Sequence, residues 1–581
     1  MAAPVPTAPP FIVADTPAPI PPAIDGARRR RELDAALRRI DGWGPRAWRE
    51  VGGAWDLGPA LIAVGPTIAD PDDDPLLPTL AVDLVVPRHG LGRVDGPAAA
   101  AALCDWVLRR AWATLLAAPP VRVTTLRPGT VIRATNACYL LPAVDGVAPV
   151  CLRLRVRPPM AGMCCDAKPY RAFLRRLVAF AAGLQTGRPQ PGRRAHLRAV
   201  AVQQALRAAL PAHGLVAFLG NGARLARARG GGPDPACRPL AVAKARATTI
   251  DLGRLGRVSG LGIRAGITAI AGAPYHGKST VLAALAAGRE DHPPGDGREL
   301  VVADASAVAV PADDGRRIKA QDVAGFFAAL PGSDSRAFTT NRASGATSMA
   351  AGVLQAVAAG SRLLLIDEDT AASNFLAIDA GMRRLLGRTL HGTRTLIEVL
   401  PALARAGTST VLVAGSTLAA LAVADRVLEL AHFQPRDATA RVRRLAGAPP
   451  RPARAWRVPA RVLDDHPDRL LGPRHFLAVA GGEAERPLVG DEVLDLRRCG
   501  WELDPALARG ACAAAAWCLR LAGGRPVDLD GLGRTYQAWI SRHGPGVLDP
   551  YHIGLHSVPP WQLVVAVLER LEHPHLHCLP A

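Results

Sequence analysis

GITAIAGAPYHGKST, residues 266–280, is the stretch on which the reading of this 581-residue chain turns. An apolar run, Ile267 to Ala271, leads into Gly272-x-x-x-x-Gly277-Lys278-Ser279 and then a helical pattern from Val281 to Ala287. Strand, glycine-rich loop and helix in that order make a phosphate-binding loop. The glycines let backbone N–H groups curl around phosphate oxygens, and the helix N-terminus adds its partial positive charge. Lys278 is expected to reach the β- and γ-phosphates, and Ser279 to offer its hydroxyl to Mg²⁺. Lys278 is one of only four lysines, at 168, 244, 278 and 319, among 70 basic residues. A compact ammonium is used where a planar guanidinium would not fit.

Outward from that loop, RLLLIDED (362–369) places four apolar residues before Asp367-Glu368. Buried strands of parallel sheets look like this. An aspartate at such a strand end can hold the Mg²⁺ shell, and the glutamate beside it can polarise an attacking water. Between the two motifs, ASGATS (343–348) opens a helical pattern, Met349 to Ala358. Serine and glycine there form either a second anion site or an ordinary N-cap.

Composition bounds the rest. Apolar residues are 49% and charged residues 21% of the chain, the balance of a soluble globular protein. No apolar run reaches the ~18 residues that span a bilayer, and the first residues lack a basic segment followed by an apolar one. Without C-x-x-C pairs, the ten cysteines suggest neither a disulfide scaffold nor a zinc ribbon, so a reducing cytoplasm is expected. The net charge of +20 is uneven: from Cys151 to Ala265, 21 basic residues face three acids. Such a block attracts phosphate-rich polymers, here through Arg153, Arg155, Arg157, Arg193 and Arg194, although a solvated basic face is the plainer alternative. Arginine's excess over lysine is itself a habit of GC-rich coding.

Four regions are expected. Residues 1–27 read as a disordered leader rich in proline and alanine; 28–165 as an N-terminal α+β domain with strands at Leu80 to Val86 and Val150 to Arg157; 166–450 as an α/β P-loop core; and 451–581, after a proline-rich linker, as a small, mostly helical domain. HPHLHC (573–578) carries potential zinc ligands, but its spacing and terminal position favour a frayed tail. Trp501, Trp517 and Trp561 read as core of the last domain.

YHGKST (275–280), HPPGDGRE (292–299), ASGATS (343–348), LLLIDEDTAASNF (363–375) and VLVAGS (411–416) resemble the motifs of a family of predicted ABC-class ATPases. These are soluble proteins without a transporter domain, and a relative belongs to a mitochondrial RNA-editing complex. The resemblance extends to RRIDGWGPRAW (38–48), GLVAFLGNGARLAR (214–227) and LDPALARGACAAA (503–515). It implies an ABC-class ATPase binding ATP and Mg²⁺ in a head-to-tail homodimer. Gly272, Tyr275, His276, Gly277, Lys278, Ser279 and Thr280 of one copy would hold the nucleotide, while Ser344 and Gly345 of the other, with Ser348 beside them, would touch its γ-phosphate. Thr370 to Asn374 would link the two sites. Ser279 and Asp367 would hold the metal; Glu368, Lys278 and Ser416 would be catalytic. Gly415-Ser416 stands where transport ATPases carry the switch histidine, which leaves open a nucleotide-gated scaffold with slow hydrolysis. The expected partners are ATP, a second copy and a nucleic acid, RNA favoured, on the basic 151–265 segment, with no membrane. Asp313 and Asp314 or Gln321 stand near the glutamine-loop position. With no aromatic between Gly253 and Gly272, Phe218 is the candidate adenine contact.

Overall fold

The P-loop strand Ile267–Ala271 sits near the middle of a six-stranded sheet. The structure, a computed structural model, describes residues 26–578 apart from 66–78, 88–90, 92–93, 144–145, 187–189, 391, 432, 447–452, 454–455, 457, 465–476, 479–483, 490–491, 524, 550–553 and 573–574. Most of the expected leader, and much of the expected linker, lie outside those residues.

The sheet order is Val308–Ala309, Leu363–Asp367, Ser409–Val413, Ile267–Ala271, Arg426–Ala431, Gln434–Asp437, parallel except for the last hairpin. Its strands are apolar runs because both faces are covered. On one side the helices Gly345–Ala358 and Leu396–Arg405 supply Met349, Val353, Leu396 and Leu400 to the core. On the other, the P-loop helix Lys278–Ala287 packs Leu282 and Leu285 against Leu365 and Val411. A four-stranded antiparallel sheet, Thr248–Asp251, Arg257–Arg264, Leu215–Gly220, Val301–Ala303, adjoins that second core. The architecture is α/β.

The N-terminal region is a seven-stranded sheet, almost wholly antiparallel, whose longest strands, Leu80–Val86 and Val150–Arg157, pair over their full expected spans. That register sets Asp83 opposite Arg153, which decides the fate of one expected polymer-binding arginine. Arg153 is 2% exposed and gives two hydrogen bonds to the Asp83 carboxylate, at 2.7 and 2.8 Å, and one to Tyr139. It is a structural ion pair inside the sheet and cannot bind a polymer. Arg155 is buried as well, at 7% exposure. The helix Ala167–Gln185 also belongs to this core, through Tyr170, Phe173, Leu177 and Leu184. The boundary expected at residue 165 therefore cuts through a packed unit.

At the C-terminal end, helices Pro505–Ala522, Leu529–His543 and Trp561–Leu568 share a core that includes Trp501, Trp517 and Trp561. The tail is not frayed: His575–Cys578 is a strand antiparallel to Arg461–Asp464, and Cys578 Sγ accepts from the Asp322 amide. Among the described residues, no group of three or more histidine, cysteine and acidic side chains is placed to hold a metal.

Candidate nucleotide site

Three loops leave the same edge of the six-stranded sheet. Asp367 ends one strand, Gly415 to Thr417 follow the next, and Gly272 to Gly277 follow the third; Val413 of the middle strand is in register with both Asp367 and Ile270. Parallel sheets bind ligands outside the carboxyl ends of their strands, and this is that end.

The phosphate loop depends on its glycines. Gly277 has φ +90°, and a methyl group there would lie 2.5 Å from Cδ1 of Phe433. Tyr275 stands at the tip with φ +64° and 95% exposure, and His276 Nδ1 lies 3.2 Å from the Leu430 carbonyl oxygen. Gly277 is the N-cap of the following helix and supplies no side-chain cap. The amides of Lys278, Ser279 and Thr280 in the first turn thus belong to a helix end suited to phosphate oxygens. Lys278 Nζ donates to the Gly272 carbonyl at 2.8 Å and the Ala273 carbonyl at 3.1 Å, so its ammonium is held over the loop. Hydroxyl from Ser279, carboxylate from Asp367 and a glycine cradle make a donor set that fits Mg²⁺ and a triphosphate.

Glu368 is held by the neighbouring loop. Its Oε2 accepts from the amides of Gly415 (2.6 Å) and Ser416 (3.0 Å), and its Oε1 from the hydroxyls of Ser416 (2.6 Å) and Thr417. Burial pushes the carboxyl up, but the Ser416 and Thr417 hydroxyls and the two amides outweigh it and hold the group below its ordinary value. Glu368 is thus kept ionised by donors on the segment where a switch histidine was missing from the sequence. Gly415 also adjoins the lysine: a methyl group on it would lie 3.6 Å from Lys278 Nζ.

Lys278, Asp367, Glu368 and Ser416 are therefore brought to one edge. Ser344 and Gly345 are bonded within their own helix turn, Ser344 Oγ accepting from the Thr347 amide at 3.3 Å. Gly345 lies against Asp314 and Ala372, the latter in the segment expected to link two sites. Phe218 is corrected: it is fully buried and cannot meet a base. Gln321, 1% exposed, and Asp313, bonded to Arg570 at 2.7 Å, face the C-terminal region. Sequence reasoning missed Thr417, one residue beyond the quoted VLVAGS, and Phe433, the nearest neighbour of Gly277.

Two cavities share a wall, and the second of them reaches the site. One, of about 650 Å³, lies between the N-terminal sheet and the start of helix Pro505–Ala522 and is lined by Arg122, Arg127, Arg133, Arg155, Arg157 and Arg509, with Asp105 and Asp504. The other, of about 770 Å³, shares Arg133 and Asp504 with it and extends to Asp367. At their common wall Arg133 joins three regions, bonding Glu290 just past the P-loop helix and Asp504 at the N-cap of the C-terminal helix.

Residues 192–459 match the ABC_ATPase family, described as a P-loop domain. The matched segment begins with the helix Arg193–Ala209 and runs past the helix Thr439–Ala446. Among curated proteins the chain is similar to the uncharacterized protein MJ1628 of Methanocaldococcus jannaschii, 32% identical over 212 residues. The match covers 34% of this chain and spans about half, 46%, of that protein's length. Among solved structures a bacterial Atm1-family ABC exporter with ATP bound aligns at 14% identity and a TM-score of 0.23, covering 48% of this chain and 50% of that one. Among the described residues no helix is long and apolar enough to cross a membrane.

Proposed function

We propose that the protein is an ATP hydrolase that binds Mg-ATP on the loop 272–280 and works as a head-to-tail homodimer. The reading is carried by the convergence of Lys278, Asp367 and Glu368 at one strand edge. Lys278 would exchange its two carbonyl contacts for the β- and γ-phosphates, and Ser279 and Asp367 would hold Mg²⁺, which neutralises phosphate charge. Glu368, already ionised, would orient water and take its proton once the hydroxyls of Ser416 and Thr417 turn away. In the dimer, Ser344 and Gly345 of the second copy would complete the γ-phosphate contacts. The test is a titration with a fluorescent ATP analogue together with phosphate release. Lys278→Ala should weaken binding and abolish turnover, and unchanged affinity would remove the loop from the site.

A second reading adds a nucleic acid, RNA favoured, and the arginine-lined cavity supports it. With Arg153 committed to Asp83, the phosphate contacts would come from arginines that line this cavity, Arg122 and Arg127 among them. Binding through six or more phosphates would fall by about 10³ or more between 50 and 200 mM salt. Charge reversal at Arg122 and Arg127 should flatten that dependence while leaving ATP affinity intact. A flat salt series in the unaltered protein would favour the nucleotide-gated scaffold.

A further inference from the structure

We propose that the cavity of about 650 Å³ between the N-terminal sheet and helix Pro505–Ala522 is a second anion site, built for a small organic molecule that carries two or more phosphates. The proposal goes beyond the nucleic-acid reading of that cavity, since it seats a discrete ligand where a polymer would have to track. It does not rest on the reading of residues 272–280.

Strand register assembles the site. Arg153, Arg155 and Arg157 alternate along the strand Val150–Arg157 and so share one face of the sheet. Arg153 has Asp83 directly across and is bonded to it. Two residues further along that face the neighbours change: Arg155 stands between Ala81 and Thr124, and Arg157 stands opposite Arg122 of the strand Arg122–Thr124. Like charges directly opposite in an antiparallel pair destabilise it. An anion between Arg122 and Arg157 turns that repulsion into two attractions. Arg155 is buried and still lines the cavity, so its charge meets a ligand there with little competing water, and a phosphate oxygen gains more from it than at an open surface.

The rest of the lining fits the same ligand. Asp105 and Asp504, also in the wall, are already engaged, the first by Arg109 at 2.6 Å and the second by Arg133. Thr124 and Thr135 add hydroxyls, and Leu108, Leu126 and Leu555 give the cavity an apolar side for an organic body. Guanidinium forks hold phosphate oxygens two at a time, so neighbouring forks suit neighbouring phosphates. The volume lies within the roughly 300–1,000 Å³ typical of small-molecule sites, which matches a single compact ligand.

The test is calorimetry with inorganic pyrophosphate on the full chain carrying Lys278→Ala, which silences the loop 272–280. Pyrophosphate should still bind that protein. Adding Arg122→Thr and Arg157→Thr should weaken it about tenfold or more, the scale of losing charge-assisted hydrogen bonds. Arg336→Thr with Arg542→Thr, the same loss of charge at exposed positions elsewhere, should leave it unchanged. Without pyrophosphate, Arg122→Thr alone should hold or raise the thermal midpoint, because a like-charge pair is removed. No binding to the Lys278→Ala protein would overturn the proposal, as would equal losses in the two pairs of variants. A midpoint lowered by Arg122→Thr would make that arginine structural and overturn it too. Single-stranded RNA of increasing length tests the polymer: affinity that climbs with length while pyrophosphate stays unbound would give the cavity to a chain. Citrate binding as tightly as pyrophosphate would overturn the phosphate assignment. With Lys278 intact, ATP affinity should be unchanged by Arg122→Thr and Arg157→Thr, and a parallel loss would merge the two sites and overturn the proposal. Failure of the ATP reading itself shows separately, as unchanged ATP affinity in Lys278→Ala.

Discussion

The nucleotide edge and the joints between regions use charge in opposite ways. At the edge, Lys278 and Glu368 are held by backbone carbonyls, amides and hydroxyls, so their charges are positioned without being neutralised by an opposite charge. At the joints, arginines are matched by carboxylates far away in the chain. Arg461 and Glu569, both fully buried, are joined by bonds of 3.0 and 2.8 Å inside the C-terminal region and tie it to the P-loop region through the Lys319 and Ala320 carbonyls and Gln355; Arg133 reaches Asp504 across 371 residues. A charge held by neutral groups remains available to a ligand, whereas one held by its opposite has become part of the framework. Net charge counted along a sequence does not separate the two, which is how Arg153 came to be expected at a polymer surface.

The sharpest way to test this contrast is Glu368→Gln. Turnover should fall by about 10²–10⁴, the scale of removing a general base, while the thermal midpoint stays put and ATP binding persists. Gel filtration with ATP should then show a trapped dimer, and wild-type turnover would take Glu368 out of the mechanism. Glu569→Ala should do the reverse. It leaves Arg461 buried without its partner, which costs about 3–5 kcal/mol in a denaturant titration, with ATP affinity unchanged. The double change Arg461→Met with Glu569→Leu should recover much of that loss, because a buried pair replaced by apolar groups is often near neutral. Arg133→Ala has the smallest expected effect and is the one that could break the comparison. Losing charged hydrogen bonds to Glu290 and Asp504 should cost about 1.5–3 kcal/mol. If ATP affinity also shifted more than threefold, the joint and the site would be coupled through the end of the P-loop helix.

What was legible in the sequence was local. The strands 267–271, 80–86 and 150–157 run over their expected residues because an apolar run between turn signals is a property of contiguous chain. The P-loop, Asp367 and Glu368 were readable for the same reason. Thr417 and Phe433 were not, because each matters only through a partner brought near by folding: Glu368, 49 residues away, for the first, and Gly277 for the second. The burial of Arg153 needed the register with Asp83, which no periodicity supplies. The helix just beyond the boundary expected at residue 165 carries a readable signal of its own. Tyr170, Phe173, Leu174, Leu177, Ala181 and Leu184 repeat at helical spacing, marking a helix that must bury one face against something already folded.

Helix Pro505–Ala522 carries a last consequence. Fourteen of its 18 residues are buried, most of them alanine, and a methyl group at Gly510 would lie only 1.8 Å from the Ser557 carbonyl oxygen. In a chain so rich in alanine and arginine, this composition invites explanation as drift toward GC-rich codons. At Gly510 it is a steric requirement, since the Ser557 carbonyl leaves no room even for a methyl group. A library randomised across the protein should therefore find the exposed arginines widely replaceable, while Gly510 and the alanines around it accept almost no other residue, whatever the codon supply.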